Sequence, residues 1–540
     1  MMRQLLICFA ALMILRLPAA NPYIVRGQPK PVVPQELTEI TDKLDRIREN
    51  CRVWHDVPEI PLASDPVFLR RAYLTAVGRI PTLTETRNFL KDRSEDKRSR
   101  LIDKLLASGD HADLIAMRFA DLLRIKSEFP VNLWPNAVQA FHAKLRTDIL
   151  NNRPYSEMAY EMLTATGSNF RVPYANFFRG SGDRSPAGLA KITALTFMGL
   201  RVEKLPEDKR KAFEAFFSRI RFKSTSEWKE ELVFTDPETA KLKAWLPGCG
   251  AFTISAPDEE PCLVLAQALV SDHNPYFARA MVNRAWSWFF GKGLIDPADD
   301  ITPERDSWKR FMEKIGLEST SAQEKMLELL TEEFRRSKYD LRHLFRLIMN
   351  SQAFQAASIA PEERRDITEK YFLTYPVRRL EAEIISDSLG VLTGNFGRYT
   401  SVIPEPFTFL PPGTKAVQIS DGSISSAMLD LFGRPSRDSG KISERNNRIT
   451  GAQRLYLLNS SVVYRQILNL GWQTGRRCKW QLQRRGIEEI YLRILSRYPT
   501  PEEKKKVMDY QRALPKKMGS HVWPDLCWVL VNSKEFLYYH

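Results

Sequence analysis

Residues 273–300 read HNPYFARAMVNRAWSWFFGKGLIDPADD, and they decide the fold class. Asn274 is a helix-capping residue, Pro275 suits a helix start, and Gly291 is a stop. Between them Phe277, Met281, Ala285, Trp288 and Phe289 recur at the helical period and form one apolar stripe. Arg279, Asn283 and Trp286 fall on a second face, which suits packing better than ligand binding.

The same signals recur outward along the chain. Toward the N-terminus, periodicity starts near Glu36 and ends before Pro58. DPVFLRRAYLTAVGRIPT (65–82) then predicts a helix with Asp65 as N-cap and Pro66 at the first position. Further helices are expected over Thr82–Phe89, Lys97–Leu106, His111–Lys126, Ala137–Asn151, Tyr155–Thr164, Pro186–Leu200 and Lys211–Ile220. The polar loop 164–186 carries Asn169, Arg171, Asn176 and Arg179, which either line a cleft or satisfy loop backbone. Glu231–Thr235 and Ala251–Ser255 read as short strands.

Toward the C-terminus, helices are expected over Pro261–Val270, Trp308–Ile315, Ser321–Arg336, Leu341–Phe354, Gly451–Leu468, Gln481–Leu495, Pro501–Arg512 and His521–Phe536. Tyr375–Leu389 carries Arg379, Glu383 and Asp387 four residues apart, a ladder that supports one more helix. The fold class is mainly α: a multi-helix two-domain protein with a small β insertion between the halves. The order is a signal peptide (1–20), an extended leader (21–37), an N-terminal helical domain (38–220), a β-containing bridge (221–260) and a C-terminal helical domain (261–540).

With 43% hydrophobic and 27% charged residues, the 540-residue chain has the composition of a globular protein. No repeat of solenoid length is present. Arg3, the apolar run Leu5–Leu15 and Pro18-Ala19-Ala20 have the pattern of a cleaved secretory signal, so the protein is expected in the periplasm or at the cell surface. The apolar run is too short to span a bilayer, and no later run crosses one. Residues 1–20 hold two arginines and no acid, so their removal lowers the net charge from +15 to +13. This basic balance favours anionic partners. Nucleic acid is not expected, because no nucleic-acid motif is present. Five cysteines remain: Cys51, Cys249, Cys262, Cys478 and Cys527. By proximity, Cys249–Cys262 and Cys478–Cys527 are the pairs to examine.

The stretch 421–461 places five arginines in a Gly/Ser/Pro-rich loop and the helix after it: Arg434, Arg437, Arg445, Arg448 and Arg454. Asp438, Glu444, Asn446 and Asn447 stand among them. Guanidinium groups in a loop suit a carboxylate, sulfate or phosphate. They equally suit a buried network in which Arg434 and Arg437 pair with Asp438 and Glu444. Those two carboxylates also have the makings of a glycoside-hydrolase acid/base pair.

The other motifs exclude more than they support. The seven histidines form no HExxH, and no GxSxG is present. Gly433–Lys441 fails as a P-loop. Asp296, Asp299 and Asp300 are weak calcium candidates, without EF-hand spacing, and no metal site is predicted.

DPVFLRRAYLTAVGRIPT and LNNRPYSEMAYEMLTATGSNF resemble the planctomycete-type cytochrome-associated domain, the second of the PSCyt series. HNPYFARAMVNRAWSWFFGKGLIDPADDI, YDLRHLFRLIMNSQAFQ, YPVRRLEAE, FGRPSRD, ERNN and LYLLNSS resemble the PSD-type domain that follows it in many exported proteins of unknown function. Many relatives carry Cys-x-x-Cys-His where this chain reads VEKLPEDKRKAF (202–213). The resemblance therefore implies a haem-free branch with no covalent haem and no predicted cofactor. The expected function is non-catalytic binding of an anionic polysaccharide, another anionic or glycan ligand, or an envelope protein. A carbohydrate-active hydrolase using carboxylates near 434–447, and an electron-transfer-associated protein that has lost its haem motif, are the alternatives.

Overall fold

The computed structural model describes residues 22–25, 31–237, 240–255, 259–301, 321–477 and 484–540. The signal segment, the expected helix Trp308–Ile315 and Cys478 lie outside the described residues. The N-terminal half contains α1 (Gln35–Trp54), α2 (Asp65–Ala76), α3 (Leu83–Lys91), α4 (Lys97–Leu106), α5 (Gly109–Leu122), α6 (Pro135–Leu150), α7 (Tyr155–Thr164), α8 (Pro186–Thr193) and α9 (Glu207–Glu214). The β region contains β1 (Ile220–Ser224), β2 (Glu231–Thr235), β3 (Leu242–Leu246) and β4 (Gly250–Ile254). The C-terminal half contains α10 (Pro261–Val270), α11 (Phe277–Phe290), α12 (Ala322–Arg336), α13 (Leu341–Asn350), α14 (Ala382–Thr393), α15 (Gly451–Asn459), α16 (Ser461–Arg477), α17 (Arg484–Ile494), α18 (Pro501–Ala513) and α19 (Val522–Val531).

The β region is two antiparallel hairpins. β2 pairs with β1 on one side and with the short strand Gly167–Ser168 on the other, while β3 pairs with β4. The sequence reading missed β1 and β3. Their neighbours in the chain are charged, and their alternation shows only once a partner is in place.

Most helices start where the capping chemistry places them. Thr82 and Glu85 exchange hydrogen bonds in a capping box at α3, as do Thr500 and Glu503 at α18. Asn274 Oδ1 accepts the backbone N–H groups of Tyr276 and Phe277, but α11 begins at Phe277 with Tyr276 as its N-cap, two residues later than Asn274 and Pro275 suggest. Gly291 ends it in the left-handed region at φ 83°. The second face of α11 is packed. Asn283 exchanges two hydrogen bonds with the backbone of Ile295, Arg279 pairs with Glu324, and buried Trp286 stacks on Phe290.

Four expectations are corrected. Ser64, not Asp65, is the N-cap of α2; Asp65 instead pairs with Lys97 and Arg98. The expected helix over Tyr375–Leu389 begins only at Ala382, and Arg378–Arg379 form a strand against Tyr538–Tyr539. Gly451–Leu468 splits at Ser460 into α15 and α16. Cys249 and Cys262 are free thiols: Asn274 Nδ2 donates to Cys249 Sγ, and Cys262 Sγ donates to Phe216 O.

One continuous apolar core runs through both halves, from Leu44 and Phe68 to Trp523 and Tyr539. Buried arginines of the first half stitch it to the second. Arg70 donates to the carbonyls of Ile494 and Phe536, and Arg71 to those of Phe354, Ala356 and His540. These groups cap carbonyls that would otherwise be buried without partners. Burial pulls Arg70 down to about 10 and Arg71 to about 9, so both remain cations at neutral pH.

Candidate functional site

The FGRPSRD–ERNN loop lies against the end of α5 and the start of α14. Arg445 donates Nη2 to Asp121 Oδ2 at 2.6 Å and Nη1 to Glu383 Oε2 at 2.6 Å. Arg437 Nε donates to the other Asp121 oxygen at 2.9 Å, and its Nη1 to Ser420 O at 2.7 Å. Arg434 stands 3.6 Å from Glu383 and donates to the carbonyls of Ile424 and Asp421. Three guanidinium groups and two carboxylates thus share one buried lattice.

Burial alone would raise Asp121 and Glu383. Arg445, which bonds both, outweighs it and holds them below the usual carboxylate range, with Arg437 adding to the effect at Asp121 and Arg434 at Glu383. Burial and the like charge of Arg437 lower Arg434 to about 10.

The arginines therefore pair with Asp121 and Glu383, not with Asp438 and Glu444 as the sequence suggested. Asp438 instead accepts from Lys126 Nζ at 2.7 Å. Glu444 Oε1 accepts the backbone N–H groups of Asp438 and Ser439. Both carboxylates also reach the Ser436 hydroxyl, at 2.8 and 3.5 Å. Asn446 and Asn447 present their carbonyls to Arg379, which also holds Phe432 O at 2.8 Å. The geometry of Arg434, Arg437 and Arg445 favours holding the loop over holding a ligand.

Backbone chemistry explains the glycines of the motif. Gly433 has φ 80°, and a Cβ there would meet Asn446 O at 1.9 Å. Gly440 has φ 72°, with Leu122 O at 2.6 Å from the same imagined atom. Arg437 is itself in the left-handed region, φ 61°, which a non-glycine residue adopts only when its surroundings demand it.

The remaining candidates separate. Arg201 approaches Asp299 and Asp300 at 3.7 and 3.6 Å, and Lys204 bonds Asp300 at 2.6 Å. Asp299 also accepts from Ile442 N, which ties this corner to the arginine loop. Neither carboxylate has Asp296 as a partner, and no cluster of three metal-capable side chains occurs among the described residues. In the polar loop 164–186, Asn169 bonds the backbone of Lys229 and Glu231, Asn176 bonds that of Asn169, and Arg179 pairs with Glu231. These residues satisfy the loop, while the Arg171 side chain is 81% exposed.

Sequence reasoning missed an aromatic platform. Trp228, at the β1–β2 turn, is 62% exposed. Its ring lies 4.8 Å from Trp134 at 81°, and Phe407 lies 5.6 and 5.5 Å from the two indoles. Lys229 Nζ sits 5.0 Å over Trp134. Trp134, at φ 71° just before α6, leaves Nε1 buried with no hydrogen-bond partner. The three aromatics lie in segments far apart in the chain, so no local pattern announces the group.

A mainly helical protein of two halves, locked by an arginine–carboxylate lattice across their seam, is the class that fold and site define. Residues 49–219 match the family model PSCyt2, a protein of unknown function (DUF1549), and residues 262–511 match PSD1, a protein of unknown function (DUF1553). The chain belongs to the family that joins these two domains in this order. No curated protein and no solved structure matches it.

Proposed function

We propose that this chain is an exported, non-catalytic binding protein of the cell envelope whose ligand is an anionic glycan. The observation that carries the reading is the Trp228–Trp134–Phe407 platform with Lys229 over it. The apolar C–H face of a sugar ring packs on an exposed indole, and an ammonium beside it favours a sulfate or uronate substituent. The lattice supports a scaffolding role for the neighbouring arginine loop, since its guanidinium groups are engaged with Asp121 and Glu383. Export rests on the pattern of residues 1–20, and a covalent haem is no part of the reading because the chain has no Cys-x-x-Cys-His. No helix among the described residues is long and apolar enough to cross a membrane.

The test is affinity electrophoresis of the purified chain in gels containing a sulfated polysaccharide, a polyuronate or a neutral glucan. Retardation is expected in the first two and at least fivefold less for Trp228→Ala, with unchanged melting. No retardation in any anionic gel, or full retardation of Trp228→Ala, overturns the proposal. Export is read separately, by N-terminal sequencing of envelope material, which is expected to begin at Asn21.

A further inference from the structure

The other wall of the arginine loop opens on a cleft of about 650 Å³ between α14, α15, α17 and α19. That volume is within the range of small-molecule sites, roughly 300–1,000 Å³. Its walls are largely apolar, with Leu457, Leu458, Leu495, Trp528, Leu530 and Leu537 among them. The apolar surface continues outward: Ile449 is 52% and Leu455 59% exposed. Single exposed leucines need no explanation, but a concave apolar surface with an apolar rim does.

The charges on the cleft have one sign to spare. Its acids, Glu503 and Glu535, are both taken by Arg497, at 2.7 and 2.6 Å. Arg379, Arg454 and Lys534 also line it. Arg454 and Lys534 are exposed and form no ion pair among the described residues. Arg379 is 5% exposed, is held in place by the carbonyls of Phe432, Asn446 and Asn447, and leaves Nη1 without a hydrogen-bond partner. A buried guanidinium N–H without an acceptor is costly, and an anionic oxygen would relieve it.

We propose that this cleft is a binding site for a single-chain amphiphile with an anionic head group. The tail lies against the leucines of α15 and Trp528, and the head group answers the cations. No residue lines both this cleft and the Trp228 platform, so the two proposals stand or fall separately.

Isothermal titration of the purified chain with dodecanoate and with dodecyl phosphate, below their micelle concentrations, tests the site. Dodecan-1-ol is the uncharged control. Saturable one-to-one binding of at least one anion is expected, with the alcohol at least tenfold weaker; whichever anion binds tighter identifies a carboxylate or a phosphate head group. Arg454→Glu, a surface change, is expected to weaken binding about tenfold, and Leu458→Trp, which fills the cleft, to abolish it. Absence of saturable binding of either anion overturns the proposal. So does equal binding of the alcohol, or binding undiminished in Arg454→Glu. Should Leu458→Trp fail to fold, Arg454→Glu and the alcohol decide the matter alone.

Discussion

Arg445 Nη2 meets Asp121 Oδ2 at 2.6 Å across 324 residues of chain, and the same guanidinium holds Glu383. This contact brings the end of α5, in the PSCyt2 half, against the ERNN loop of the PSD1 half. Arg118 with Glu381 and Lys126 with Asp438 repeat the connection on either side. The two halves are therefore coupled through buried charge as well as through the apolar core.

Replacing Arg445 by alanine removes the shared partner of two buried carboxylates, leaving Asp121 to Arg437 and Glu383 to the longer contact with Arg434. Breaking a buried ion pair costs about 3–5 kcal/mol. Arg445→Ala is expected to lower unfolding stability in urea by that order. Arg445→Lys is expected to recover less than half, since an ammonium cannot serve Asp121 and Glu383 with a planar fork. Wild-type stability in Arg445→Ala would refute the lattice as a structural lock.

Gly433→Ala sets a Cβ against Asn446 O in a backbone conformation that alanine resists. A loss of about 1–3 kcal/mol is expected from the conformation alone, with the steric clash adding to it. The check is the shift of the melting midpoint. Gly413→Ala is the control, because that residue also has positive φ, 86°, but nothing within 4 Å of the added atom.

Asp387 accepts the backbone N–H groups of Ala416 and Val417 at 2.6 and 3.1 Å from deep inside α14. Burial pushes its carboxyl up to about 7, against the pull of those two hydrogen bonds and of Lys415. The folded state therefore keeps a proton that the unfolded chain releases near pH 4. The resulting stability is full below pH 4 and is lost as pH rises to 7, by roughly 1 kcal/mol per pH unit. Asp387→Asn is expected to remove this decline. Urea titrations of both proteins at pH 4.5, 5.5 and 6.5 check it, and parallel slopes would count against it.

Thiol accessibility tests the corrected cysteine reading. Cys51 and Cys249 are half-buried, whereas Cys262 and Cys527 are buried. Burial pushes the Cys527 thiol up to about 12 and raises Cys262 further, so neither offers thiolate at neutral pH. Ellman's reagent is expected to modify Cys51 and Cys249 in the native chain, and Cys262 and Cys527 only after denaturation. A Cys249–Cys262 bridge in a non-reducing peptide map would reverse the assignment.

The helices were legible because their causes are local. The apolar stripe of α11, the capping box at α3 and the stop at Gly291 each lie within a few residues of the element they define. The motif arginines were legible as a group for the same reason. Their partners were not. Asp121 and Glu383 look like ordinary helix carboxylates, and the evenly spaced Arg379, Glu383 and Asp387 suggested a helical ladder that the strand at Arg378–Arg379 breaks. Trp134, Trp228 and Phe407 converge only when a turn, a hairpin and a proline-rich loop meet.

By itself, then, the sequence determined a mainly helical two-domain chain, its family and a basic charge balance, because periodicity, capping and composition act over short range. Only the tertiary structure decided that Arg434, Arg437 and Arg445 bond inward and that Arg379 faces a cleft. Pairing of buried charges depends on which distant segments the apolar core brings within 3 Å, and no spacing along the chain encodes that distance.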